Sequence, residues 1–161
     1  MIKLPENKTR KKLRITQCVL YLFEIVFCTF PYIQGQASDG YLYSHSVFSI
    51  ISYWGATVPD TMAGAAFQTY AMFMPIFVVV PIVGFFFCAL DKQRNMKNVV
   101  SIICCLIGVV AILMIVNRML SLGSLLALLV YLVICFITTM AMFARISDKT
   151  TKNENTEETK K

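Results

Sequence analysis

Four long apolar stretches of this 161-residue chain hold one formally charged side chain between them, Glu24. Charged residues are 15% of the chain and hydrophobic residues 57%, a balance too apolar for a soluble domain of this size. Other absences narrow the chemistry. The single histidine, His45, has no Cys, Asp or Glu at ligand spacing, so it reads as an interfacial residue and no metal is expected. The six cysteines, Cys18, Cys28, Cys88, Cys104, Cys105 and Cys135, all lie in apolar runs and form no C-x-x-C, which implies neither a disulfide framework nor a redox dithiol. No Gly-rich phosphate loop, no Ser/His/Asp or Cys/His set and no pair of intramembrane carboxylates occurs. The expectation is a protein that is not an enzyme and carries no cofactor.

What the chain has in quantity is span-forming sequence. A helix needs about 20 apolar residues to cross a hydrocarbon core of about 30 Å, and four segments meet or approach that length: 15–33, 62–90, 99–116 and 125–144. The expected fold is therefore an all-α integral membrane protein, 1–161 forming one polytopic domain with its four spans in an antiparallel bundle. The second and third spans, joined by the charged turn at 91–98, read as a helical hairpin. Fourteen of the fifteen Lys/Arg lie before the first span, in that turn or after the last span, and Arg118 alone lies on the other side. This asymmetry places both termini in the cytoplasm. It also argues against a nucleic-acid partner, because the basic residues are sorted by membrane side instead of being spread over a folded surface.

Outside the spans, residues 1–14 form a basic cytoplasmic arm, and the mixed-charge tail at 145–161 has the composition of a disordered end. The extracytoplasmic connection at 34–61 is too long to lack structure. Residues 34–40 (QGQASDG) read as a turn, and 46–54 (SVFSIISYW) as a short interfacial helix with Val47, Ile50, Ile51 and Trp54 on one face. Tyr41, Tyr43, Tyr53 and Trp54 would form its aromatic belt. An alternative is that residues 1–37 are removed as a signal peptide; the length of the apolar run and the central Glu24 argue against it.

The candidate intramembrane polar site is Glu24, with Gln17 and Tyr21 on its own helix and Tyr131 on the fourth. Gln17, Tyr21, Glu24 and Cys28 recur at intervals of four, three and four, which makes one polar stripe facing the bundle. An acidic residue at a helix centre costs about 2.5–3.5 kcal/mol to insert and is a functional hypothesis by default. Pro75 and Pro81 are expected kinks in the second span, freeing the carbonyls of Ala71 and Phe77. A protonated Glu24 is expected to donate to the Phe77 carbonyl or to meet Tyr131. Ser101, Cys104, Gly108 and Ala111 make a small-residue packing face on the third span. The fourth span should turn Ser124, Leu128, Tyr131, Cys135, Thr138 and Met142 inward.

These features point to a small multi-pass protein of the plasma membrane, a subunit or accessory protein that packs in the lipid bilayer against its own copies or another membrane protein. The alternative is a small oligomeric transporter coupling a proton or cation through Glu24. A four-span chain with a solitary glutamate in its first helix resembles the small multidrug-resistance exporters in topology. The segment 34–70 has no counterpart in those shorter chains, and the resemblance implies nothing residue by residue.

Overall fold

The computed structural model describes residues 8–36, 42–54, 71–90, 96–115 and 121–158. In chain order the elements are α1 (Lys8–Phe27), β1 (Pro31–Gln36), β2 (Leu42–Ser46), α2 (Val47–Ile51), α3 (Pro75–Leu90), α4 (Met96–Ile115) and α5 (Leu122–Glu158). The protein is mostly helical. Among the described residues three helices are long and apolar enough to cross a membrane: Ala71–Leu90, Met96–Ile115 and Leu122–Ser147, of 20, 20 and 26 residues. Asp39, Tyr41, Asp60, Arg118, the outer part of the second expected span at 62–70 and most of the turn at 91–98 lie outside the described residues.

The first expected span, 15–33, is corrected. Its helix ends at Phe27, so 15–27 contribute thirteen apolar-run residues where 19 were expected, about 20 Å of helix at 1.5 Å per residue. Pro31 is the cause. It lacks the N–H that would close a helical bond and steers Phe30 away from helical backbone angles. The chain instead closes tight turns, with Thr29 N–H donating to Val26 O and Phe30 N–H to Phe27 O, both at 3.0 Å. Pro31, Tyr32 and Ile33 then enter a strand.

Of the turn expected at 34–40, residues 34–36 belong instead to a β-strand and 37–40 lie outside the described residues. β1 pairs antiparallel with β2, Ile33 opposite His45 and Gln36 opposite Leu42, with an irregularity between Pro31 and Ile33 that makes Tyr32 the extra residue. Such a bulge re-aims a side chain, and Tyr32 is buried. Ser46 caps α2, its hydroxyl accepting from Ser49 N–H. The short helix expected at 46–54 is thus present as Val47–Ile51, with Val47 and Ile50 turned fully inward and Trp54 left exposed.

The hairpin and α2 form a cap on the helices. Val47 N–H donates to Cys28 O at 3.2 Å, and Pro31 O lies so close to Gly123 of α5 that a Cβ there would stand 2.6 Å from it. Below the cap, α1 packs on α3 and α5, and α4 packs on the same two, so the four helices close a ring. Facing pairs set the register. Gln17 meets Cys88, Tyr21 meets Gly84 and Cys28 meets Phe77; Ser101 meets Thr138 and Gly108 meets Tyr131.

Helix boundaries differ from expectation at two further places. α4 begins at Met96, drawing Lys97 and Asn98 out of the expected turn and burying both. α5 continues to Glu158 through the tail expected to be disordered. The stretch 145–161 contains no Gly or Pro, and a helix already nucleated adds one hydrogen bond for each residue it fixes.

Two tyrosine-on-glycine contacts set how closely the helices approach. The Tyr21 ring covers Gly84, and the Tyr131 ring covers Gly108 so that a Cβ would stand 2.5 Å from its Cζ. Both rings are fully buried and have little room to yield. Gly84→Ala and Gly108→Ala should each destabilise the protein by about 1–3 kcal/mol, the usual cost of overpacking. Thermal melting in detergent checks this, with Gly108→Ala partly rescued by Tyr131→Leu.

Candidate functional site

The polar stripe of α1 faces the interior of the ring. Gln17, Tyr21, Glu24 and Cys28 are all at most 1% exposed. The four do not share one environment, however, and they divide into an inner set with partners and an outer acid lacking one at Oε1.

The inner set joins four helices. Gln17 Nε2 donates to Thr138 Oγ1 at 2.7 Å, Ser101 and Thr138 hydroxyls are 3.0 Å apart, and Tyr21 and Ser101 hydroxyls are 2.7 Å apart. Cys88 Sγ adds a long contact of 3.8 Å to Gln17 Oε1. The direction of the chain follows from counting hydrogens. Thr138 Oγ1 gives its hydrogen to Ile134 O at 2.7 Å, so it accepts from Ser101; Ser101 has then used its own hydrogen and accepts from Tyr21. Tyr21, Ser101, Thr138 and the Ile134 carbonyl therefore run donor to acceptor and end on backbone. A chain ending on a carbonyl has no onward hydroxyl through which a proton would pass, so it acts as a structural tie.

Glu24 stands one turn outward from Tyr21. Its Oε1 is buried without a hydrogen-bond partner. Among the described residues, Tyr32 of the cap, Tyr131 of α5, Cys28 and Cys105 are groups within electrostatic range of its carboxyl. Burial holds the Tyr32 phenol above its ordinary ionisation range.

The expected partnership between Glu24 and the Phe77 carbonyl is not what forms. The Cys28 thiol donates to Phe77 O at 3.5 Å and is shared with Glu24 O at 3.4 Å. Cys28 lies one turn beyond Glu24 and so reaches the carbonyl that Pro81 frees. Tyr32 packs at a tilt of 54° against the ring of the same residue, centroids 5.0 Å apart. Pro81 sits inside continuous helix, whereas the interruption falls at Met74, directly before Pro75; Phe77 N–H there reaches back to Met74 O at 3.1 Å.

Other expected residues are distributed as follows. Ser101, Cys104 and Gly108 are buried in the ring. Ala111 is half-buried and lines an apolar groove of about 490 Å³ between α3 and α4, with Phe73, Ile76, Leu106 and Val110. On α5, Ser124, Tyr131 and Thr138 face inward as expected, but Cys135 is exposed and Ile134 takes the interior place. His45 contacts Ser49 at 3.2 Å and the Tyr53 ring edge-on. Among the described residues no group of three or more His, Cys, Asp or Glu is placed to hold a metal ion.

No family model, curated protein or solved structure matches this chain. Its chemistry is therefore read from these residues alone. Sequence reasoning had placed Ser101 on a packing face and missed that it accepts from Tyr21; the available signal was that both residues belong to stripes already oriented inward.

Thr138 is the residue on which the inner set converges. Thr138→Val removes the acceptor for both Gln17 and Ser101 and should destabilise the protein by about 1–3 kcal/mol, while Thr138→Ser should restore most of the loss. Comparing the thermal midpoints of the three proteins in one detergent decides it.

Proposed function

We propose that this protein is a four-span integral membrane protein of the interaction class, a non-enzymatic subunit or accessory protein that packs against other membrane helices. α3, α4 and α5 cross as full-length spans. α1 crosses with them as the fourth helix of an antiparallel bundle, completed on the outer side by the cap, and both termini lie in the cytoplasm. The plasma membrane is the expected location.

The observation that carries this reading is how the interior polar groups are used. Tyr21, Ser101, Thr138 and Gln17 are occupied with one another, and the two tyrosine rings fill the space over Gly84 and Gly108. What the helices present outward is apolar, including Phe86, Leu106, Leu113, Leu132 and Phe136. In lipid such faces associate with other helices through packing instead of through any hydrophobic driving force.

Transport coupled to a proton or cation is the second reading, and the Oε1 of Glu24, buried without a partner, favours it. Purification of the full chain in mild detergent separates the two. The interaction class predicts a second membrane protein at fixed stoichiometry. A homo-oligomer without a companion, together with a gradient-driven flux in proteoliposomes that Glu24→Gln abolishes, would establish the transport reading in its place.

A further inference from the structure

Glu24 lies in the last turn of α1, at the level where helical packing gives way to the cap. It is 1% exposed, and Oε1 receives no hydrogen bond. Among the described residues, the titratable groups that face it are Tyr32 from β1, Tyr131 from α5, Cys105 from α4, and Tyr21 and Cys28 from its own helix. α2 has no titratable residue, His45 of β2 is turned to Ser49 and the Tyr53 ring, and Cys88, the titratable residue of α3, lies two turns inward against Gln17. Phenols and thiols are ordinarily neutral below about pH 8. The basic side chains of α1 and α4, Arg10, Arg14 and Lys97 among them, lie at the opposite end of their helices. Among the described residues, therefore, no cation faces the acid and no donor reaches its Oε1 to stabilise the charged form.

Among the described residues, the cap supplies the covering on the outer side of Glu24. Tyr32 at the bulge, Ile33 beside it, and Val47 and Ile50 of α2 are the buried hydrophobic side chains of the cap among the described residues. One backbone hydrogen bond, Val47 N–H to Cys28 O, ties α2 to the turn that carries Glu24. A buried anion with an unsatisfied oxygen is expensive in apolar surroundings, so the closed arrangement suits a neutral carboxylic acid. The charged form requires water, and water reaches this end of α1 if the cap lifts.

We propose that the β1–β2–α2 cap is a lid latched by the proton on Glu24: it seats on the bundle while the acid is neutral and is released when the acid ionises. The proton exchanges with water on the outer side, and no other reactant is needed. The sign follows from linkage. The closed state holds a proton that the open state gives up more readily, so closure is favoured at low pH and is lost as pH rises. Glutamine keeps the shape of the neutral acid and does not ionise, so Glu24→Gln keeps the lid seated at every pH. The inference is separate from the subunit reading, since a lid of this kind serves an accessory protein or a transporter equally.

Hydrogen–deuterium exchange of the full chain in nanodiscs, read by mass spectrometry over the peptide that carries α2, tests the latch. After correction for the intrinsic pH dependence, wild-type amides at 47–52 should exchange at least about tenfold faster near pH 9 than near pH 5, and those of Glu24→Gln should not change. Equal corrected exchange at the two pH values in the wild type overturns the proposal. So does a pH-dependent loosening that persists in Glu24→Gln. Should that variant not fold, a lipophilic carbodiimide, which modifies protonated carboxyls, replaces it in the wild type: labelling of Glu24 should fall over the same pH range in which the cap loosens. No labelling at low pH, or labelling that does not follow the loosening, contradicts the latch.

Discussion

A hydroxyl buried between helices must place its hydrogen on an acceptor, and this requirement organises the interior. Thr138 passes its own hydrogen to the carbonyl one turn back on α5 and so becomes an acceptor for Gln17 of α1 and Ser101 of α4. Ser101 in turn accepts from Tyr21. That hydrogen bond pins the Tyr21 ring over Gly84 of α3, and the fourth helix is drawn into the same layer. Helix spacing and polar satisfaction are thus one constraint. If the acceptor at Thr138 is lost, Gln17 and Ser101 both lose the oxygen that takes their hydrogens.

The outer half of the molecule follows a different constraint. Because Pro31 ends α1 early, the chain approaches the outer surface as strand and turn, with backbone groups that a helix no longer satisfies internally. Backbone polar groups that leave a helix need partners elsewhere, and the hairpin packs on the bundle where several of them are met. Tyr32 is buried against Phe77, Pro31 O rests on Gly123, and the Cys28 carbonyl is capped by Val47. Cys28 also serves the carbonyl that Pro81 leaves open. Glu24 lies at the boundary between this region and the hydroxyl-tied interior, which is why it is deeply buried with one oxygen unserved.

Much of this was legible in the sequence where periodicity was strong. The stripe of Gln17, Tyr21, Glu24 and Cys28 gave the buried face of α1 correctly, because a helical period of 3.6 and a contrast in polarity leave one orientation. On α5 the same reasoning misplaced Cys135, since Cys and Ile contrast too little to tell adjacent positions apart. The hairpin was illegible for another reason. Tyr32 and Ile33 complete an apolar run that suits a span by length, and Pro31 was the residue that argued otherwise. The long continuation of α5 also escaped, because composition reports the absence of a core and says little about a helix that propagates from one. The hydrogen bond between Tyr21 and Ser101 depends on register between helices distant in sequence, and no local pattern encodes that.

The central claim is that α1, although only thirteen apolar-run residues long before Pro31 interferes, crosses the bilayer as part of the four-helix ring. Cysteines placed one at a time along 8–36 and probed in sealed vesicles with a charged, membrane-impermeant maleimide test it most directly. Positions up to Arg14 should label from the cytoplasmic side alone and those around Gln34 from the outer side alone, with Gln17, Tyr21 and Glu24 protected from both. Labelling of both ends of α1 from one side would contradict the account, because the helix would then lie along the membrane surface and the ring would not be a bundle that spans it.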